Sequence, residues 1–403
     1  MARELIDVAL ARARVLAEAR PLAPERVELA DALGRVLAED VASNLDLPPF
    51  DASAMDGFAT RAGAAEALEV VGESRAGHPA EGSLGSGQAI RISTGAVVPE
   101  GAEAVVPVEL TESVAAVAGA RERVSVPARE PGTHLRRAGE DVRAGDAVLG
   151  AGTRLGPAEV AVLASLGRAR VECGARPRVA VIVTGDELVE PAAALGPGQI
   201  RDSNAYALAA QADRAGALIV SRAIVRDELE ATVLALAQAI EAADLVCVSG
   251  GVSVGPHDHV KAAFARLGVQ ERFWGVALKP GKPTWFGTLG STLVFGLPGN
   301  PVSAMVTFHL FARLALERLA GVPAPPAERA VARLERAVPR EARRDQALRC
   351  RLESRADGWH ALPTGPQGSH ILTSMLHADA LALVPAGEGE LAAGERVELE
   401  LLR

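Results

Sequence analysis

The residues best equipped for chemistry stand just after apolar runs. RVAVIVT is followed by Gly185, Asp186 and Glu187, and LIVSRAIV by Arg226 and Asp227. LVCV is followed by Ser249, Gly250, Gly251, Val252 and Ser253, with Asp258 a few residues on. If the runs are strands of an open α/β sheet, ligands bind outside their carboxyl ends, and these side chains converge on one edge. Singly, each acid reads as well as a helix start: Asp186 or Glu187 as an early acid, Asp227 as the cap of a helix at Glu228. Gathered together, carboxylates repel and are tolerable mainly around a divalent cation; hard oxygen ligands point to magnesium. The SGGVSVG loop supplies the opposite sign, since its glycines, hydroxyls and following helix form a phosphate or oxyanion cradle, or else a tight turn. It is neither a G-x-G-x-x-G nor a P-loop motif.

Only three of the 42 basic residues are Lys, at positions 261, 279 and 282. Two of them fall in LKPGKP (278–283), where two prolines and a glycine fix the backbone and hold the ammonium groups close. Such a pair calls for an anion, with a solvated turn as the alternative. In GLPGNPVS (296–303), Asn300 as N-cap and Pro301 at the first helical position form a helix start with outward N–H groups. Further polar clusters lie upstream: Asp51 and Asp56 in PPFDASAMDGFA, Ser93 and Thr94 in RISTGAVVPEGA, and Arg136, Arg137, Glu140 and Asp141 in HLRRAGEDV. Each alone reads as a loop or a solvated charge cluster.

The elements that must position these residues follow from pattern and composition. With 403 residues, two to four domains are expected. Hydrophobic residues make up 49% and aromatics only 3%, so the cores are built from Ala, Val, Leu and Ile, and general disorder is excluded. Residues 1–45 read as two helical stretches around Pro21 and Pro24, and 140–174 returns to a helical pattern. Together they form one helical domain. Residues 46–139, rich in Gly, Pro and short β-branched runs, form an inserted β-rich domain. Residues 175–325 alternate strand and helix as a doubly wound α/β domain, with helices at 204–215, 228–243 and 260–267 and another opening at Pro301. Pro323, Pro325 and Pro326 form a stiff linker, and 326–403 reads as a small β-barrel.

The net charge of −9 argues against nucleic acid or anionic lipid as partners without a local basic patch, and no block of basic residues supplies one. Cys173, Cys247 and Cys350 are isolated, which suits a reducing cytoplasm. The N-terminal segment reads as an amphipathic helix and not as a signal peptide. Pro283 to Ala312 carries no Asp, Glu, Lys or Arg and exceeds the roughly 20 residues of a spanning helix. Its glycines and prolines make it buried strands and a turn instead, and no membrane segment is expected.

Taken in order, FDASAMDGFA, TGAVVPEGA, RRAGEDV, TGDEL, GQIRDSN, SGGVSVG with Asp258, KPGKP, GLPGNPVSA and GPQGSH resemble the molybdopterin molybdenumtransferase family, the molybdenum insertion enzymes that include the gephyrin E domain. The resemblance covers essentially the whole chain. It implies four parts: the helical domain as a dimerisation domain, the β insertion, a molybdopterin-binding α/β domain and the C-terminal barrel. It also implies a homodimer, with an active cleft between the α/β domain of one protomer and the β insertion of the other.

The implied reaction takes adenylyl-molybdopterin, magnesium and molybdate, releases AMP and inserts molybdenum at the dithiolene. On that resemblance Glu187, Asp227 and Asp258 would hold magnesium and act in catalysis with Asp56, Thr94 and Asp141. Arg136, Asp186, Ser249, Gly250, Gly251, Ser253, Pro298, Asn300 and Pro301 would bind the substrate. Lys279, Lys282, Ser303, Arg349 and Ser369 would bind molybdate. Partners expected are these small molecules, with a molybdopterin adenylyltransferase and apo-molybdoenzymes as protein partners. Ala52 and Phe58 stand where many relatives have Asn and Tyr, and His257 and His259 beside Asp258 read as loop variation. A scaffolding role, or that of a single-domain sibling that adenylylates molybdopterin, fits the full acidic and lysine set and the extra domains less well.

Overall fold

A computed structural model describes residues 4–114, 121–252, 259–323 and 330–402. The chain divides into two compact units. One comprises Met1–Glu39, Gly152–Val160 and Arg170–Arg403, the other Asp40–Ala151 and Ala161–Ala169.

The first unit is organised by a six-stranded sheet in the spatial order Leu218–Val225, Arg178–Thr184, Leu245–Ser249, Thr292–Leu297, Trp285–Leu289, Gln270–Trp274. The first four strands are mutually parallel, Trp285–Leu289 runs antiparallel to them, and Gln270–Trp274 pairs antiparallel with it. Every residue from Val179 to Thr184 is buried, as a strand covered on both faces requires. Alternation divides that strand between two cores. Val179, Val181 and Val183 join a cluster with helix Asn204–Arg214 and the helical run from Pro301 to Leu319. Ala180 and Ile182 join the other, with helices Leu229–Ala242 and His259–Leu267. These helices match the expected spans within a residue. The uncharged stretch 283–312 is two buried strands and a buried helix start. Among the described residues no helix is long and apolar enough to cross a membrane.

The barrel closes on itself. Asp345–Arg355 pairs with Gly358–Pro363 and with Ala380–Val384, and Ala330–Leu334 and Arg396–Leu401 complete the ring. Gly358–Pro363 was not anticipated. The short strand Leu278–Lys279 adds in parallel to Asp345 and Gln346, so LKPGKP is stitched to the barrel. Pro325 and Pro326 lie outside the described residues.

The expectation for 1–45 needs correcting. Val8–Glu18 is a helix, opened by Asp7, whose Oδ1 accepts from Leu10 N at 2.6 Å, and it packs into the first core cluster. The second stretch is instead a strand, Pro24–Glu28, antiparallel to Arg170–Gly174, followed by a single 3-10 turn. Its lone buried side chain, Val27, is too little for a helical stripe but enough for a strand on a partner. Within 140–174 the helix holds as Pro157–Ser165. These segments are mixed helix and strand.

The second unit carries a six-stranded sheet ordered Ala104–Pro107, Gly57–Thr60, Gln88–Ile92, Glu66–Ser74, Arg123–Val126, Glu112–Val114. This is the β-rich character expected of 46–139.

Candidate active site

At the carboxyl ends of the parallel strands lies a cavity of about 720 Å³. Its wall includes Thr184, Glu187, Asp202, Asn204, Asp227 and the Ser249–Val252 turn. A second cavity, of about 430 Å³, is lined by Lys279, Lys282, Ser303, Arg344 and Ser369 among others. The two share Pro283, Pro298, Asn300 and His370 as a common wall. The structure thus brings acids and glycine loop to one chamber and lysines to its neighbour.

The loops are latched together by side chains. Ser249 Oγ donates to Pro298 O at 3.0 Å and accepts from Asn204 Nδ2 at 2.9 Å, while the same amide donates to Gly299 O at 2.7 Å. Ser249 is buried, and the Gly250 N–H donates to Leu297 O at 3.2 Å, so side chain and backbone together fix the turn against the next strand. Gly250 has φ +96°, and a Cβ there would lie 2.7 Å from Thr184 O; glycine is needed to bring the turn against the neighbouring strand end.

Asp186 Oδ1 accepts from Asp227 N at 3.3 Å, holding the second strand exit against the first. Asp186 itself does not line the cavity, in contrast to its expected substrate-binding position. The helix after Asp227 begins at Leu229, with Glu228 at the cap and no side-chain cap bond, so Asp227 is not spent as a cap. Among the described residues neither Glu187 nor Asp227 has an ion-pair partner. Two cavity-facing carboxylates without a cation fit a hard divalent ion such as magnesium. Ser253 and Asp258 lie outside the described residues.

In the second cavity Lys279 Nζ pairs with Glu341 Oε1 at 2.5 Å, and Arg344 with Glu341 Oε2 at 3.0 Å. Lys279 and Arg344 hold the Glu341 carboxyl below its ordinary range. Asn300 Nδ2 donates to Ser369 Oγ at 2.9 Å and makes no cap bond to its own helix, so its side chain joins the barrel loop to the α/β domain. Arg349 departs from expectation. It is fully buried, donating to Ser374 Oγ and Gly368 O, each at 3.2 Å, and burial pushes its guanidinium down to about 10. It does not line the cavity; it holds the loop that presents Ser369, and Arg344 stands on the wall instead. The third lysine, Lys261, sits over the Trp274 ring at 4.6 Å, whereas Lys279 and Lys282 both line this cavity.

In the second unit Asp56 Oδ1 accepts from Thr94 N at 2.8 Å, so two separate motifs meet. Asp51 holds Arg137 at 2.5 Å and accepts from Ala138 N at 2.9 Å, bonds that lower its carboxyl. Arg136 and Asp141 are exposed.

Sequence reasoning missed Thr184, Asp202, Asn204, Arg344 and His370. Asp202 is 4% exposed; Oδ1 accepts from Ala205 N at 3.0 Å, while Oδ2 has no partner, as is true of Thr184 Oγ1. The GQIRDSN segment carried a signal for Asp202, an acid just before a helix, but a cap explains that equally.

Residues 6–167 match the MoeA N-terminal region (domains I and II), 180–318 the probable molybdopterin-binding domain and 331–402 the MoeA C-terminal region (domain IV). A molybdopterin molybdenumtransferase of Haemophilus influenzae is 37% identical over 391 residues, covering 94% of each chain. The chain belongs to the molybdopterin molybdenumtransferase family. Another member, molybdopterin molybdenumtransferase 2 of Mycobacterium tuberculosis, is 39% identical over 96% of this chain and 97% of its own. The crystal structure of a molybdopterin biosynthesis MoeA protein from Pyrococcus horikoshii superposes with TM-score 0.81 at 32% identity, over 99% of this chain and 100% of that one. In this molybdopterin molybdenumtransferase family member both cavities are lined from the probable molybdopterin-binding domain and the C-terminal region.

Proposed function

We propose that this chain cleaves adenylyl-molybdopterin with release of AMP and inserts molybdenum from molybdate into the dithiolene. As a member of its family it is a transferase of molybdenum cofactor biosynthesis. The observation that carries the finer reading is the common wall between an acidic, glycine-lined chamber and a lysine-lined one. A substrate spanning that wall places its phosphoanhydride at the acids and its dithiolene beside the oxyanion.

The Gly251 N–H would donate to phosphate oxygens, while Gly250, whose own N–H donates to Leu297 O at 3.2 Å, lets the turn close, with Pro298, Asn300 and Pro301 closing that chamber. Asp202 Oδ2 is a free acceptor for an N–H edge of the bound ring system. Glu187 and Asp227, joined by Asp258, would hold magnesium, which supplies positive charge for the phosphoanhydride oxygens. Lys279, Lys282, Ser303 and Ser369 would bind molybdate, with Arg349 acting through the Ser369 loop. Asp186 orients Asp227. We further propose a homodimer in which Asp56, Thr94, Arg136 and Asp141 of the β unit complete the cleft of a second copy. A molybdopterin adenylyltransferase upstream and apo-molybdoenzymes downstream would be protein partners. The three free, buried cysteines suit the cytoplasm.

The test is to incubate the purified protein with adenylyl-molybdopterin, magnesium and molybdate, following AMP release and activation of an apo-molybdoenzyme. Molybdate-stimulated AMP release is expected; its absence would sink the enzyme reading.

A further inference from the structure

Another polar cavity, of about 300 Å³, lies in the first unit and shares no lining residue with the two above. Arg154, Gln211, Arg214, His309, Arg313 and Glu317 supply its polar wall. Its position follows from an irregularity in the helix that opens at Pro301: residues Phe308–Ala312 form a π-turn before the α-helix resumes at Arg313. Such single π-turns are uncommon and are found frequently at functional sites. Here the turn carries His309 inward against the end of helix Asn204–Arg214, which contributes Gln211 and Arg214.

Two independent features point to a ligand. The first is unmet hydrogen bonding. His309 is 6% exposed and its Nε2 has no partner; Gln211 donates through Nε2 to Met305 O at 3.2 Å, yet its buried Oε1 is also unpaired. Buried polar atoms are nearly always bonded, so two orphans from residues on one cavity wall call for an explanation. The second is surplus positive charge. Arg313 is neutralised by Glu317 at 2.6 Å and Glu400 at 3.5 Å. Arg154 donates to Gly34 O and Arg214 to Leu402 O, and among the described residues neither has a carboxylate within hydrogen-bonding distance. Among the described residues, then, these two exposed guanidinium groups keep unused donors and have no carboxylate partner.

We propose that this cavity is a binding site for a small oxyanion-bearing molecule, a phosphate or carboxylate ester-sized metabolite with at least one hydroxyl. Arg154 and Arg214 grip the oxyanion, and Gln211 Oε1 accepts from the hydroxyl. His309 meets the ligand as a neutral imidazole, because burial and the charges of Arg313, Arg12 and Arg214 push it down to about 3. The volume exceeds that of a bare phosphate and leaves room for a hydroxylated organic portion.

The probes are inorganic phosphate and glycerol 3-phosphate, titrated at constant ionic strength with chloride as control. Calorimetry on a Lys279→Ala/Lys282→Ala variant removes the lysine chamber as a competing anion site. One saturable site is expected, tighter for glycerol 3-phosphate, and Arg154→Gln/Arg214→Gln should weaken it at least tenfold. In the unaltered protein, the His309 imidazole resonance should move with the same saturation curve, a readout that needs no arginine variant to fold. Tighter binding of phosphate alone would overturn the organic portion. No saturable binding, binding indifferent to both arginines, or a stationary His309 signal would overturn the site.

Discussion

The Lys279 ammonium lies 2.5 Å from Glu341 Oε1, and the same carboxylate also engages Arg344. On the proposed assignment, a dianion entering the lysine cavity would compete with Glu341 for Lys279, and affinity for molybdate would depend on a partner outside the LKPGKP motif. Lys279→Ala should raise the KM for molybdate about 10- to 100-fold, the worth of one charge-assisted hydrogen bond, while leaving pterin binding largely intact. Steady-state kinetics beside direct pterin binding separates the two effects, and equal loss of both would contradict the division of roles. Glu341→Gln should act oppositely, lowering that KM about two- to fivefold, since an exposed ion pair is worth up to about 1 kcal/mol. An unchanged KM at low salt would mean that the ion pair does not compete. The motif lysines were legible because Lys is so rare in this chain. Glu341 and Arg344 carried no such mark, being ordinary charges in a barrel segment far away in sequence.

At the scale of elements, close backbone approaches decide whether a motif can fold as it does. Gly57 ends the MDG turn, and a Cβ on it would stand 1.9 Å from Val106 O across the strand pair. Neither backbone can yield without losing ladder hydrogen bonds. Gly57→Ala should therefore destabilise the β-rich unit by about 1–3 kcal/mol or more, seen as an earlier urea transition. It should also disturb the neighbouring Asp56 to Thr94 contact. Wild-type stability in that variant would show that the approach is not restrictive. The strands and helices of the α/β core were legible because continuous Val, Ile and Leu runs alternate with amphipathic segments, and both patterns are local. Pro24–Glu28 was not. Five residues with one buried side chain are a strand only because Arg170–Gly174, over 140 positions away, offers the partner. Gly358–Pro363 shows the same dependence, with pairing supplied by the barrel.

For the molecule as a whole, His309 links global stability to pH. Its pKa falls from the ordinary 6.5 to about 3 in the folded chain. Between those values the unfolded chain binds a proton that the folded one refuses, so stability drops as pH falls, by about 1.4 kcal/mol per unit below 6.5. Urea denaturation at pH 7 and pH 5 should register a loss of about 2 kcal/mol from this group, and His309→Gln should flatten that part of the dependence. An unchanged slope in the variant would assign the acid sensitivity elsewhere. Family, α/β architecture, barrel and the residue types of the site were determined by the sequence itself, because motif order, hydrophobic period and the scarcity of Lys are properties of the linear chain. Only the tertiary structure decided that Asp186 braces Asp227, that Arg349 is buried behind Ser369 while Arg344 faces the cavity, and that Asp202 and His309 keep buried atoms without partners. Those outcomes turn on which side chains from distant segments fill the same space, and burial and hydrogen-bond satisfaction exist only once those segments have met.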